Sequence, residues 1–231
     1  MDRRYLSFLI VLLAVLASGC TSPKEGPSPV NPSGPVIGAI TALNAATSYL
    51  DSYYMGTAVI LPFTLTHKLQ GGPCAWAGEN AGNATRWMMV LEGILGAEGF
   101  GRDVTVAVTV EYRSGKVGVK HQEIGAEQIQ KEDADRVMDE IDNVSLAGNI
   151  SFDNHAMFLK ADPLKWNVSK ELYYLQSMTM TLYDRTTSPH GSDGPSWEVG
   201  WKYIAKDSLE ASTSYVILNA TSGAYMKTLP P

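Results

Sequence analysis

The chain has 231 residues and a mass of 25.0 kDa, with 45% hydrophobic and 18% charged residues and a formal charge of −6. That balance excludes a wholly disordered or collagen-like chain, and the net acidity speaks against nucleic-acid binding, which needs a basic face. Two cysteines, Cys20 and Cys74, are too few for a disulfide framework or a cysteine-rich metal site.

Residues 1–19 read as a secretory signal: Arg3 and Arg4 are followed by an apolar run over 6–16, then by Ala17, Ser18 and Gly19. The run is short for a membrane span, which takes roughly 20 residues. The stretch Leu16-Ala17-Ser18-Gly19-Cys20 resembles the lipobox of prokaryotic lipoproteins, with Ala17 where that family usually has Leu. The resemblance implies a lipid on the Cys20 thiol, Cys20 as the first mature residue, and a membrane-anchored, extracytoplasmic protein. Residues 20–36 hold five prolines, Pro23, Pro27, Pro29, Pro32 and Pro35, and predict a semi-stiff tether. The body gains little from anionic headgroups, so the lipid must supply the attachment. Five of the nine asparagines begin an Asn-x-Ser/Thr sequon: Asn83, Asn143, Asn149, Asn167 and Asn219. They are candidate N-glycosylation sites of a surface protein, and with a lipobox they fit an archaeal envelope better than a bacterial one.

A helix is expected over 37–54, with Ile40, Leu43, Thr47, Leu50 and Tyr54 as its buried stripe. Residues 57–84 read as irregular, with room for one short strand at 63–66. Cys74 sits there in a turn-like setting and is expected as a small buried hydrophobe rather than a reactive thiol. Residues 86–121 read as sheet, with 86–95 open between a buried strand and a helix capped by Asn83 or Thr85, which periodicity does not decide. Val104, Val106, Val108, Val110 and Tyr112 alternate with polar or small residues, and Ser114-Gly115 joins that run to a second alternating one. A second helix is expected over 126–141. Its many acids are read as a solvated face, since the glycine turn and ligand order of a calcium loop are missing. Residues 143–171 read as loop, and strands follow at 177–182, 197–203, 215–218 and 224–228.

The two halves share an order: helix, gap, tryptophan strand, strand, Ser-Gly turn, short strand. Trp87 precedes Gly115 by 28 residues, and Trp197 precedes Gly223 by 26. Asn219-Ala220-Thr221-Ser222-Gly223 and the strand opened by Trp197 resemble the PepSY-like family of extracytoplasmic domains, and Glu111 with Ser114-Gly115 matches it more loosely. That resemblance implies an α+β fold of two helix-on-antiparallel-sheet repeats, over 37–122 and 123–231. It also implies a non-catalytic binding or inhibitory accessory role, often beside peptidases. Independently of any family, the Asn219 amide can accept backbone hydrogen bonds across the turn, and Gly223 suits a positive φ. An amide so engaged would leave the Asn219 sequon unglycosylated.

No catalytic motif, glycine-rich phosphate loop or metal-ligand spacing occurs, and His67, His121, His155 and His190 are scattered singly. No catalytic residue, cofactor or metal is therefore expected. Trp197, Trp201 and Tyr203 read as sheet core, while Trp76 and Trp166, in loop regions, are the candidate contact residues. The expected partners are the membrane, through Cys20, and an envelope protein. A structural surface glycoprotein and an enzyme with an unrecognised site are the alternatives.

Overall fold

The computed structural model describes residues 31–32, 34–55, 57–97, 100–113, 115–130, 151, 153–183, 189 and 194–231. Helix α1 (Ala39–Tyr53) precedes strands β1 (Ala58–Gly71), β2 (Arg86–Ala97), β3 (Phe100–Arg113) and β4 (Lys116–Gln130). Helix α2 (Asn154–Ala161) and a short 3-10 turn (Asp162–Leu164) precede β5 (Tyr173–Tyr183), β6 (Ser196–Ala205), β7 (Ala211–Asn219) and β8 (Tyr225–Leu229). All eight strands form one antiparallel sheet in the order β4-β3-β2-β1-β5-β6-β7-β8.

A single register row crosses the whole sheet: Val119, Val110, Trp87, Gly71, Met180, Val199, Val216 and Thr228. Its strand residues alternate between two faces, and both helices lie on the face that Trp87 occupies. Helix α1 meets β1 to β4, and α2 meets β6 and β7. Trp87, Trp197 and Trp201 are fully buried between sheet and helices. The Trp87 and Trp197 rings meet edge-to-face, 6.4 Å apart. Each is the second residue of its strand, and each donates its indole N–H to a carbonyl just ahead of a helix, Ile37 O at 2.7 Å and Ser151 O at 2.7 Å.

The expected α+β fold of two helix-on-sheet repeats is overturned. The protein is mostly antiparallel β, with two short helices on one continuous sheet. The helix expected over 126–141 is not there at its start: residues 126–130 belong to β4, which pairs with β3 as far as Phe100, and residues 131–141 lie outside the described residues. Pairing along a partner strand outweighs local helix propensity here, as tertiary context commonly does. Strand β4 also runs through the expected boundary at 122/123.

The region 57–84 is not irregular in its first half. Strand β1 fills 14 residues despite Pro62. A proline removes one ladder donor. Here it falls within the register shift between Leu61 and Thr64 against β2, and β5 pairs only with Lys68 to Gly71 at the far end of β1. The buried stripe of α1 is Ala39, Ala42, Ala46 and Leu50, while Ile40 is 48% exposed. Three alanines let the helix lie close on the sheet, so small side chains rather than large ones mark its inner face. Within the loop expected over 143–171, Asp153 caps α2 by accepting from the Ala156 N–H at 2.9 Å.

Candidate functional site

A side-chain constellation lies where the C-terminal end of α1 meets the β3–β4 edge. Thr105 pairs with Gly125 and Val106 with Glu123, so Ile124 is an extra residue in β4. Such a bulge re-aims the side chains around it. His121 and Glu123, on one side of it, share the helix face, whereas Glu127 pairs with Asp103 on the opposite face. Tyr54, just past α1, donates its hydroxyl to Glu123 Oε1 at 2.6 Å, and Arg102 Nη2 donates to Glu123 Oε2 at 2.6 Å. Both carboxylate oxygens are thus engaged. The Tyr54 hydroxyl and then Arg102 hold the Glu123 carboxyl below its ordinary range. Burial first, then the hydrogen bond to Glu123 and its charge, push the Tyr54 hydroxyl well above the ordinary phenol range.

Aromatic rings surround this bridge. Tyr54 stacks on Phe63 at 5.3 Å, and the His121 ring lies 4.3 Å from Tyr53 and 5.5 Å from Tyr49. His121 Nδ1 is 3.3 Å from the Tyr49 hydroxyl. Tyr53, Met55 and Ile124 are 57%, 80% and 55% exposed. A Tyr-Glu-Arg bridge, with exposed Tyr53 and Met55 flanking Tyr54 in the chain and exposed Ile124 following Glu123, offers ring faces and a pre-ordered polar rim. That is the equipment of a contact surface.

The helix-free face carries a second polar group. Glu92 on β2 and Asp103 on β3 lie diagonally across the pair, since Glu92 faces Thr105. Burial, then the Asp103 charge and a hydrogen bond with it, push the Glu92 carboxyl up to about 7. Burial also raises Asp103, with a smaller push from Glu127. Asp103 Oδ1 is buried without a hydrogen-bond partner. Among the described residues no group of His, Cys, Asp or Glu could hold a metal ion.

The sequence-predicted residues fall in separate places. Trp76 is half-buried against the core, and its backbone N–H donates to Asn31 Oδ1 at 2.8 Å, within the proline-rich segment. Trp166 is 47% exposed in the connection from the 3-10 turn to β5. Cys74 is fully buried, and burial pushes its thiol up to about 12. Asn219 Oδ1 accepts from Thr221 N at 3.0 Å, Ser222 N at 2.9 Å and Ser222 Oγ at 3.1 Å, and Gly223 sits at φ +68°. Lys160 covers that turn, its ammonium 3.4 Å from Ser222 O. Gly115 takes φ +80° in the β3–β4 hairpin. Asn83 Oδ1 accepts from Asn154 Nδ2 at 2.9 Å, whereas Asn167 is exposed. Cys20, Ser114, Asn143 and Asn149 lie outside the described residues.

Sequence inspection missed Arg102, Glu123 and Tyr54 as a unit, because three separate elements bring them together. It also missed Asn154. This residue is 4% exposed and accepts from the Ala39 N–H at 2.8 Å, supplying α1 with the side-chain cap that Gly38 lacks. Family models, curated proteins and solved structures give no match to this chain.

Proposed function

We propose that this chain is a membrane-tethered, extracytoplasmic binding module, held by a lipid on Cys20 and acting without chemistry of its own on an envelope protein, a peptidase being one candidate. The observation that carries the reading is the exposure of Tyr53, Met55 and Ile124, the chain neighbours of Tyr54 and Glu123, beside the Tyr54-Glu123-Arg102 bridge. Holding the polar groups in place beforehand lowers the entropy lost when a partner settles on the rings. The Asn31–Trp76 contact supports a tether that joins the body beside the N-terminal end of α1. Fifteen helical residues at about 1.5 Å each then set the surface roughly 22 Å away from that junction, free of the leash. The PepSY-like turn at Asn219 to Gly223 agrees with an accessory role. Among the described residues no helix is long and apolar enough to cross a membrane.

The test places a photo-crosslinking residue at position 53 of the full chain in its native membrane, with position 225 on β8 as the comparison. A single envelope protein captured from position 53 and not from 225, and lost with Arg102→Ala, supports the reading. Equal capture from both positions, or none from 53, overturns it.

A further inference from the structure

The tip of the β6–β7 hairpin holds a side chain that the rest of the protein does not account for. Leu209 sits at φ +60°, where only glycine or asparagine is at ease, and it is the one non-glycine residue with positive φ among the described residues. Burial does not compensate, because its side chain is 58% exposed. The turn is closed by backbone bonds, Leu209 N–H to Ala205 O at 3.0 Å and Ala205 N–H to Glu210 O at 2.9 Å. Glycine would make both equally well. A leucine placed there has a use outside the folded chain.

Leu172 shares this end of the sheet. Its carbonyl accepts from the Lys206 N–H at 2.9 Å, and Lys206 Nζ reaches Lys170 O at 2.8 Å. Leu172 is 60% exposed, and Trp166 belongs to the same 165–172 connection. Exposed leucines beside lysines with long apolar stems, and a tryptophan nearby, are the composition of a surface that rests in the outer layer of a bilayer. Glu171, Asp207 and Glu210 offset the lysines, so this end is close to neutral on a chain of charge −6. The repulsion that the acidic body meets at an anionic surface is smallest here.

The chain ahead of the body names the occupant. The proline-rich segment joins the body where Trp76 holds Asn31, two residues past Cys74. The Cys74 N–H donates to Met178 O at 2.8 Å. Met178 is five residues along β5 from Tyr173, about 17 Å. Eleven residues separate Cys20 from Asn31 and span at most about 40 Å. The leash is long enough for the tip to touch the surface that anchors Cys20, and it keeps the junction at Asn31 within about 40 Å of that surface.

We propose that Leu209 and Leu172 form a shallow membrane wedge that seats the tethered body on the lipid surface. This rests on the reading of Cys20 as the anchor. A cysteine introduced at 209 or 172 is the one thiol open to labelling, since Cys74 is buried and Cys20 is blocked by lipid. The full chain, purified with its lipid, carries an environment-sensitive fluorophore there. It is reconstituted in phosphatidylcholine vesicles with brominated acyl chains and a minority of phosphatidylglycerol. Labels at 209 and 172 shift to the blue and are quenched, while a label at Met55→Cys, at the opposite end, is not. Leu209→Gly raises the melting temperature and removes the quenching at 172, a pairing that a purely structural leucine would not give.

Floated protein without quenching at 209, or with equal quenching at 55, overturns the wedge. A Cys20→Ser chain that floats as well as the wild type overturns the anchor instead, and quenching at 209 still decides the wedge. Flotation of neither chain overturns both.

Discussion

The contact between Trp87 and Gly71 makes a sharp prediction for Gly71→Ala. The two residues are register partners on β2 and β1, and the indole lies flat over the glycine. A methyl group built at Gly71 would stand 2.6, 2.7 and 2.8 Å from three indole carbons. Ordinary carbon contacts need about 3.5 Å or more, so the ring must retreat by roughly 0.8 Å. It has no room to do so. Its N–H is bound to Ile37 O at 2.7 Å, and its ring meets Trp197 edge-to-face at 6.4 Å. Gly71 is not among the residues with positive φ, so the backbone itself accepts alanine and the cost is steric.

Overpacking of this kind costs about 1–3 kcal/mol, and weakening the indole hydrogen bond adds about 0.5–1.5 kcal/mol. We expect a loss of about 2–4 kcal/mol, or a melting temperature lower by roughly 5–15 °C for a chain of this size. Thermal unfolding followed by circular dichroism reads the change. The Trp87→Phe background supplies the control, because a smaller ring leaves space for the methyl and shrinks the penalty. A penalty under about 0.5 kcal/mol, or the same penalty in both backgrounds, would refute the reasoning.

Three further outcomes follow from the same geometry. Asn154→Ala removes the cap of α1 and leaves the buried Ala39 N–H without its acceptor; unfolding in denaturant should show a loss of about 1–2 kcal/mol, and Asn154→Asp should recover part of it. The Glu92 carboxyl is raised to about 7 from an ordinary 4.5, so the folded state holds a proton that the unfolded chain releases. The stability linked to it is complete below about pH 4.5 and is lost as pH rises through about 7, an effect on the order of 1 kcal/mol for a half-exposed group. Melting temperatures across pH 5–8 should flatten in Glu92→Gln. The Cys74 thiol, buried and raised to about 12, should resist alkylation in the native protein and react in denaturant at the rate of an ordinary thiol; rapid native labelling at Cys74 would contradict its place in the core.

Parts of this fold are legible in the sequence, and the failures have physical causes. The alternation of Val104 to Val110 reports a face because a half-buried strand must alternate, and those valines are buried. The stripe expected on α1 holds at Leu50 and Tyr54, which are buried, and lies about one position off over its first half. Large apolar residues are the usual sign of burial, but Ala39, Ala42 and Ala46 make the contact here while Ile40 faces out. Strand β1 was hidden by Pro62, whose lost donor falls where no second partner strand is paired. The start of the helix expected over 126–141 became strand because β3 provides a partner along the full length of β4. The candidate contact surface had no local signature at all. Tyr54, Arg102 and Glu123 come from three elements, and no spacing rule connects them.

The seam between β1 and β5 bears on how the chain folds. Every other strand pair in the sheet joins neighbours in sequence, so six sequence-local pairings leave one long-range event, the closure of Lys68 to Gly71 on Met180 to Tyr183. Sequence-local pairing forms quickly, and distant pairing waits for the entropy of loop closure to be overcome. Two stacks of hairpins should therefore assemble first and zip along four residues afterwards. The Trp87–Trp197 contact and the Asn154 cap both straddle that seam, so substitutions there should accelerate unfolding far more than they slow folding. Amide exchange along β1 and β5 would then report the opening of the seam well before the outer hairpins give way.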